Sequence, residues 1–248
     1  MSEPTPNLFF ETVKAYQRTA ALKSAIELGV FEAIAQDHTN ATQLAKHCQS
    51  TERGINILCD YLTVKGFLNK SNNRYQLTPD SETFLNPKST EYLGSAIDFL
   101  LSEPMLIAFQ NLTTAVQKGG TALPQEGTLA PDHPAWTAYA KGMAPVMKWP
   151  AQLLAEYLDP KADRPLNILD IAAGHALFGL AFAQRNTQAT VTALDWPNVL
   201  TVAQAHAEER GLSKQFKTLS GNAFETEFTE TYDITILANI LHHFNQDT

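Results

Sequence analysis

The second half of the chain alternates short apolar stretches with longer amphipathic segments, and this alternation constrains the fold more than any other feature. The predicted strands cover residues 166–171, 190–195, 216–219 and 232–238, and the predicted helices cover 174–185 and 197–209. Because parallel strands need a long crossover between them, the pattern predicts an α/β unit with a parallel sheet and right-handed connections. Such sheets bind ligands at the carboxyl ends of their strands, so we expect the functional residues there.

Two acidic residues stand at the ends of the first two predicted strands. Asp170 is followed by the small-residue turn 172–176, and Asp195 ends the second strand. Small residues before a helix let a ligand approach the backbone, and an acid on the next strand can accept hydrogen bonds from both ribose hydroxyls of an adenosine. Pyrophosphate binding needs the pattern G-x-G-x-x-G, whereas this turn holds only Gly174. The pattern therefore favours a nucleoside without phosphates.

The first half of the chain is predicted to consist of helices and one hairpin. Apolar residues recur at helical spacing through 8–35, and the sequence 40–43 is typical of a capping box before a short helix. A further helix is expected to end at Gly66. The alternating segments 67–70 and 74–78, with turn-forming residues between them, predict a β-hairpin. Helices followed by a hairpin at this spacing are typical of a winged-helix domain.

A winged helix either reads DNA or serves as a packing or dimerisation module, and its charge distinguishes the two. The segment 37–78 holds five basic and three acidic residues, and the charges of the predicted recognition helix cancel. A helix that reads a groove needs Lys and Arg for phosphates and bidentate side chains for base edges, whereas this one offers only Arg53 and Asn56. We therefore expect no nucleic-acid partner, and a ligand-responsive winged-helix regulator stays as an alternative.

A stripe of aromatic and methionine residues precedes the first strand of the predicted sheet. It consists of Trp136, Tyr139, Met143, Met147 and Trp149 at roughly helical spacing. Such a stripe more often packs in a core, but Met and aromatic side chains also adapt to flat apolar ligands. We therefore expect the first four of these residues either to belong to the core or to line a substrate pocket.

Composition and charge exclude several classes of protein. The chain of 248 residues has 18 Lys and Arg against 26 Asp and Glu, which gives a net charge of −8. Its two cysteines are too few for a disulfide framework, and it has neither a signal-peptide pattern nor an apolar run long enough to span a membrane. The histidines outside the C-terminal segment show no metal-ligand spacing. We therefore expect a cytoplasmic protein with no membrane partner and no metal.

Six segments, in order, carry a resemblance to a known family. They are 15–31 in the opening helices, 75–79 after the hairpin, 169–174 at the glycine turn, 194–197 at the second strand end, 220–224 after the third strand, and 239–244 after the fourth. Together they resemble the S-adenosylmethionine-dependent small-molecule O-methyltransferases of the hydroxyindole and plant phenolic type, which carry an N-terminal winged-helix dimerisation domain. The resemblance covers essentially the whole chain.

The resemblance implies a two-domain architecture and a homodimer. It places a mainly helical winged-helix dimerisation domain at 1–100 and a Rossmann-like methyltransferase domain at 159–248, with connecting helices at 101–158 that line the substrate pocket. The family's sheet has more strands than the four predicted here, and the strand 232–238 is apolar on both faces, as a central strand is. We therefore expect the chain to be part of a longer protein.

The resemblance also implies the residues of the site. His242 falls at the catalytic general base. The cofactor-binding residues are Asp170, Gly174, Asp195, Trp196, Asn222, Ala223 and Ala238. Gly174 is expected to meet the methionine part of S-adenosylmethionine, Asp195 the ribose hydroxyls and Trp196 the adenine.

The sequence departs from the family's pattern at a few of these positions. Ala172 and Ala176 stand where the fuller motif has glycines, and Asn222 where the family usually has Asp. Ala238 stands where some members place a basic residue, and His243 where many have Asp. These departures are compatible with cofactor binding.

The expected function is methyl transfer from S-adenosylmethionine to a hydroxyl of a small, flat, apolar molecule. Methyl transfer from a sulfonium is an in-line displacement that depends mainly on positioning, and a histidine can take the hydroxyl proton. A relative with the same cofactor that hydroxylates or decarboxylates its substrate stays as the alternative enzyme class.

Overall fold

The computed structural model describes residues 3–120, 134–159 and 161–241. The chain forms two compact units, Met1–Ile97 and Asp98–Thr248. The expected connecting helices at 101–158 belong, as far as they are described, to the same unit as the sheet. Among the described residues, no helix is both long and apolar enough to cross a membrane.

The N-terminal unit has the expected helices and hairpin. Its elements are α1 (Asn7–Val13), α2 (Ala15–Glu27), α3 (Val30–Ala35), α4 (Ala41–His47), α5 (Glu52–Val64), β1 (Leu68–Ser71), β2 (Arg74–Leu77), α6 (Pro79–Phe84) and a 3-10 turn at Gly94–Ala96. The capping box is present, since the Gln43 N–H donates to Asn40 Oδ1 at 2.9 Å and Gln43 Oε1 accepts from the Asn40 N–H at 3.4 Å. Asn72 and Asn73 have φ of 48° and 58°, as a two-residue hairpin turn requires.

Tyr75 joins the hairpin to α5 within the core of the N-terminal unit. Its hydroxyl lies 2.7 Å from Asp60 Oδ1 and 2.9 Å from Asn56 Oδ1, and Lys70 Nζ lies 2.6 Å from the same Asp60 oxygen. Burial and the Asp60 carboxylate raise the pKa of Tyr75 to about 12, so its hydroxyl stays a donor. These contacts engage Asn56, one of the two residues considered for base recognition, inside the unit.

The C-terminal unit contains the predicted parallel sheet. Its elements are α7 (Ile97–Leu100), α8 (Glu103–Gln110), α9 (Leu112–Lys118), α10 (Pro134–Leu158), β3 (Leu166–Ile171), α11 (Leu177–Arg185), β4 (Ala189–Asp195), α12 (Pro197–Glu209), β5 (Phe216–Ser220) and β6 (Ile234–Ile236). The strands lie in the order β5-β4-β3-β6, and every pair is parallel. The α/β fold class is therefore confirmed.

Two predicted elements of this unit differ from the structure by more than one residue at an end. Helix α11 begins at Leu177 rather than at Gly174, because the intervening residues form a loop with left-handed backbone. Strand β6 is shorter than predicted, and Asp233 sets its register: its N–H donates to Asn167 O and its Oδ2 accepts from the Asn167 N–H, both at 2.8 Å. Within the described residues, β6 pairs with β3 alone.

The core of this unit lies between the sheet and the helices α10, α11 and α12. Ile168 and Val191 on the sheet and Phe182 on α11 are completely buried. Asn186, which follows α11, is also completely buried and donates from Nδ2 to Asp159 Oδ2 and to Arg164 O, both at 2.9 Å. These bonds tie the end of α10 and the chain entering β3 to the end of α11, which fixes the strand that leads to the site.

Candidate functional site

A cavity of about 290 Å³ opens at the carboxyl ends of the parallel strands. It is lined by Trp136, Tyr139, Ala172, Gly174, Leu194, Asp195, Trp196, Val199, Gly221, Asn222, Ala223, Phe224, Ala238, Asn239 and Ile240. The lining thus comes from the start of α10 and from the segments that follow β3, β4, β5 and β6. This is the edge of the sheet at which the strand-helix alternation predicts a ligand site.

The cavity brings together most of the residues selected from the sequence. Eight of them line it: Trp136, Tyr139, Gly174, Asp195, Trp196, Asn222, Ala223 and Ala238. Asp170, Met143 and Met147 do not line it, although Met147 Sδ lies 3.8 Å from the Nδ2 atom of the lining residue Asn239. His242, the expected general base, lies outside the described residues.

The loop between β3 and α11, which we call the cofactor loop (172–176), has an unusual backbone. Ala172, Gly174 and Ala176 have φ of 52°, 56° and 56°, in the left-handed region. A residue with a Cβ atom pays about 1–2 kcal/mol for this conformation, so two alanines here must be held by their surroundings. Glycine adopts this conformation without the steric penalty.

Asp195 is the main support of the cofactor loop. Its Oδ2 accepts a hydrogen bond from the Gly174 N–H at 2.8 Å, and its Oδ1 accepts one from the Trp196 N–H at 2.7 Å. Burial raises the pKa of the Asp195 carboxyl, and these two N–H groups act in the opposite direction. A carboxylate has about four lone-pair sites, so two remain for a ligand that donates hydrogen bonds.

Asp170 lies beneath the loop rather than in the cavity wall. It is 1% exposed, and its Oδ2 accepts from the Gly179 N–H at 3.0 Å. A Cβ atom at residue 179 would lie 3.1 Å from that oxygen and 2.6 Å from Val191 Cγ1, which explains the glycine. Burial raises the pKa of Asp170 to about 7. The hydrogen bond from the Gly179 N–H lowers this pKa, and the nearby Asp195 raises it.

His175 is a structural support of the site that the sequence pattern did not single out. It is buried, and its Nδ1 accepts from the Leu177 N–H at 3.1 Å, so the imidazole caps the start of α11. Burial, with His206 and Arg210 nearby, lowers the pKa of His175 to about 4, which keeps the ring neutral and able to accept. The sequence pattern placed His175 inside the predicted helix 174–185, and histidine is not among the usual capping residues, so no local signal marked this position.

Aromatic side chains form one wall of the cavity. Trp136 and Trp196 pack around Ala140, Val199 and Val202, and they join the start of α10 to the start of α12.

Tyr139 extends this aromatic wall. It packs edge-to-face on Phe99, with ring centroids 5.3 Å apart, and burial raises the pKa of its hydroxyl. Flat, apolar ligands suit such a wall.

The turn that follows β5 contributes the polar side chain of Asn222 to the lining. The Gly221 N–H donates to Asp195 O at 3.2 Å, and a Cβ atom at residue 221 would lie 2.7 Å from Thr226 Oγ1, so any other residue would displace that hydroxyl. Asn222 Oδ1 accepts from the Phe224 N–H at 3.1 Å, which orients the amide. The side chain of Asn222 can still donate from Nδ2 and accept at the second lone pair of Oδ1.

Asp195 is the one carboxylate of the lining, and no lysine or arginine lines the cavity in the described part of the chain. A cavity with this charge favours a cationic or neutral ligand over a phosphate. Within the described residues, no group of three metal-ligating side chains occurs.

Comparisons with known proteins match both units of the chain. A family model of the O-methyltransferase dimerisation domain matches residues 10–87, and a model of a methyltransferase domain matches residues 168–248. The first match includes the exposed apolar side chains Phe10, Val13 and Tyr16 of α1 and α2. The second covers the sheet and most of the cavity lining.

Individual relatives extend the match over nearly the whole chain. A crystal structure of an assigned O-methyltransferase from Nostoc punctiforme is 48% identical, with a TM-score of 0.89 over 98% of this chain and 73% of that one. The 3-hydroxy-5-methyl-1-naphthoate 3-O-methyltransferase of Streptomyces sahachiroi is 23% identical over 97% of this chain and 70% of its own length.

A more distant structure shares the fold. Human N-acetylserotonin methyltransferase, solved in complex with S-adenosylmethionine, has a TM-score of 0.80 at 17% identity, over 98% of this chain and 73% of that one.

Replacing Asp170 by Asn tests the buried carboxyl. The pKa of Asp170 is about 7 in the folded protein and about 3.9 in an unfolded chain, so the folded protein binds the proton more tightly. This contribution to stability is fully present below about pH 4 and is lost as the pH rises through 7. Relative to Asp170→Asn, the wild-type free energy of unfolding is expected to fall by about 2–4 kcal/mol between about pH 4 and pH 8. Urea unfolding across this range measures the difference.

The lowered pKa of His175 has the opposite sign: its contribution is present above about pH 6.5 and is lost as the pH falls through 4. Because wild type and Asp170→Asn both contain His175, its contribution cancels in the difference between their unfolding free energies. Parallel pH curves for wild type and Asp170→Asn would contradict the raised pKa.

Glycine substitutions test the strain in the cofactor loop. Ala172→Gly removes the left-handed penalty of about 1–2 kcal/mol and adds about 0.5–1 kcal/mol of backbone entropy cost, so a net gain of up to about 1.5 kcal/mol in unfolding free energy is expected. The adjacent Ala173 has negative φ, so Ala173→Gly serves as the matched control and should lose about 1 kcal/mol. A loss of stability in both variants, measured by urea unfolding, would contradict the strain.

Proposed function

Because this chain belongs to the family of S-adenosylmethionine-dependent O-methyltransferases, we propose that it methylates a hydroxyl of a small, flat, apolar molecule, with His242 as the general base. The observation that carries the proposal is a cavity at the carboxyl ends of parallel strands in which Asp195 supplies the charge and tryptophans form a wall.

The charge of the cavity fits S-adenosylmethionine better than a phosphorylated nucleoside. The lining contains the Asp195 carboxylate and no basic side chain in the described residues, so a phosphate would meet repulsion without compensation. A sulfonium is a cation and an adenosine carries no phosphate. The free lone pairs of Asp195 match the two ribose hydroxyls, since both hydroxyls can donate.

Other lining residues suit the adenine and the methionine part of S-adenosylmethionine. Trp196 follows Asp195 directly and offers an aromatic face to the adenine. Asn222 offers both a donor and an acceptor at the edge of the base. Gly174, which has no side chain, allows the methionine part to approach the loop backbone.

The chemistry requires few groups from the protein. When bound, S-adenosylmethionine supplies an electrophilic methyl group on its sulfonium. Trp136 and Tyr139 hold a flat acceptor beside it and exclude water, which favours an in-line approach of the hydroxyl. His242 takes the hydroxyl proton, because a neutral imidazole with a pKa near 6.5 is a suitable base at neutral pH.

The N-terminal unit is proposed to form a homodimer rather than to bind nucleic acid. Leu8, Phe9 and Tyr16 are 77%, 63% and 68% exposed, and an apolar helix face of this kind is typical of a subunit interface. On α5, Asn56 is engaged by Tyr75, so a groove-reading contact would cost an internal hydrogen bond.

The role of Asp195 is tested by combining a variant with a modified ligand. Wild type should bind S-adenosylhomocysteine about tenfold more tightly than its 2′-deoxy analogue, because one hydrogen bond to a carboxylate is lost. Asp195→Ala should bind the two ligands with equal affinity, as measured by calorimetry. The two ligands are compared on the same protein, so a disturbance of the loop by the substitution affects both affinities and cancels in their ratio. If wild type and Asp195→Ala prefer S-adenosylhomocysteine over its 2′-deoxy analogue by the same factor, Asp195 does not bind the ribose hydroxyls. Glu209→Ala removes a carboxylate on α12 and is the control.

The role of His242 is tested by separating turnover from binding. His242→Gln should lower kcat at least about 100-fold and change the affinity for S-adenosylhomocysteine less than about twofold, since the base acts only in the chemical step. His38→Gln, in the N-terminal unit, is the control. The assay follows the addition of one methyl group to hydroxylated aromatic acceptors by mass spectrometry. An equal loss of turnover and cofactor affinity would indicate a structural histidine, and a product without the added methyl would contradict the reaction.

A further inference from the structure

The cofactor loop 172–176 does not hold its conformation by itself. Its backbone is left-handed at three positions, two of them alanines, and such a conformation persists only when the surroundings over-determine it. The surroundings that do so are therefore part of the machinery that presents Gly174 to a ligand.

Most restraints on the loop come from elements adjacent to it in the sheet. The Ala173 N–H donates to Leu194 O at 3.1 Å, and the Gly174 N–H donates to Asp195 at 2.8 Å. Within the loop, the Ala176 N–H donates to Ala173 O at 2.7 Å. These bonds hold the N–H groups of Ala173, Gly174 and Ala176, and the carbonyl of His175 is left to be satisfied.

The carbonyl of His175 is bonded by a side chain from a different element. His206, on α12, has its Nδ1 atom 2.9 Å from His175 O. Because a carbonyl only accepts, Nδ1 carries the proton and His206 is the donor. His206 is itself anchored, since Arg210 Nη1 donates to its backbone carbonyl at 3.0 Å.

We propose that His206 is a positioning residue that holds the cofactor loop in its binding conformation through the backbone of His175. The same residue, His175, caps α11 with its imidazole, so one loop residue is fixed at both its carbonyl and its side chain. Without the bond from His206, the peptide between His175 and the left-handed Ala176 keeps only the bond from the Ala176 N–H to Ala173 O and turns more readily. The Gly174 N–H then loses its alignment with Asp195.

The chain offers a conservative variant that keeps the bond. In His206→Asn, the amide nitrogen is attached to Cγ as Nδ1 is in histidine, so it can donate to His175 O from nearly the same place. In His206→Leu, the donor is lost while an apolar side chain remains. Gln204→Leu, an exposed position on the same helix, is the control.

Hydrogen exchange of the protein without cofactor is the first measurement. His206→Leu should accelerate exchange of the amides in 172–180 about five- to tenfold, whereas His206→Asn and Gln204→Leu should match wild type. Equal exchange in all four proteins would overturn the proposal. Acceleration spread evenly through β3, β4 and α12 would also overturn it, because that pattern indicates a general loss of stability.

Calorimetry with S-adenosylhomocysteine is the second measurement, and it rests on the proposed function. His206→Leu should weaken binding about fivefold, and His206→Asn should stay within about twofold of wild type. If wild type binds and both variants bind equally well, the positioning role is wrong. If wild type does not bind, the proposed function fails, and the exchange measurement still decides the role of His206.

Discussion

Asp195 joins the three segments on which the cavity depends. Its carboxylate accepts from the Gly174 N–H after β3 and from the Trp196 N–H before α12, and its backbone carbonyl accepts from the Gly221 N–H after β5. Each bond places one part of the lining, so the loop, the tryptophan and the polar turn keep a fixed relation to one acidic group. The Asp195 carboxylate also gives the cavity its charge. The group that holds the lining in place is therefore the group that favours a cationic or neutral ligand.

The sheet could be predicted because its signals are local. The run Leu166–Ile171 is apolar and β-prone, Pro197 occupies the first helical position and Gly211 follows the helix end, so the corresponding bounds were close to correct. The cofactor loop could not be predicted, since alanine disfavours the left-handed region. Its conformation depends on bonds to Leu194, Asp195 and His206, which are close in space and not in sequence.

Site residues could be predicted where their position at the end of a parallel strand places them at the cavity. Asp195 and Gly174 face the cavity because both follow parallel strands at one edge. Asp170 ends a strand too, but its side chain accepts from the Gly179 N–H and lies under the loop. Of the stripe on α10, Trp136 and Tyr139 line the cavity, whereas Met143 and Met147 lie further along the helix, which rises about 1.5 Å per residue.

The charge of this cavity determines which adenosine derivatives can bind, and titration calorimetry of the wild-type protein measures this preference. Separate titrations with S-adenosylhomocysteine and with ADP compare the same adenosine with and without phosphates. We predict saturable binding of S-adenosylhomocysteine at one site per chain and no saturable binding of ADP, because the lining offers a carboxylate and no cation in the described residues. Saturable binding of ADP, or no binding of S-adenosylhomocysteine, would contradict this prediction.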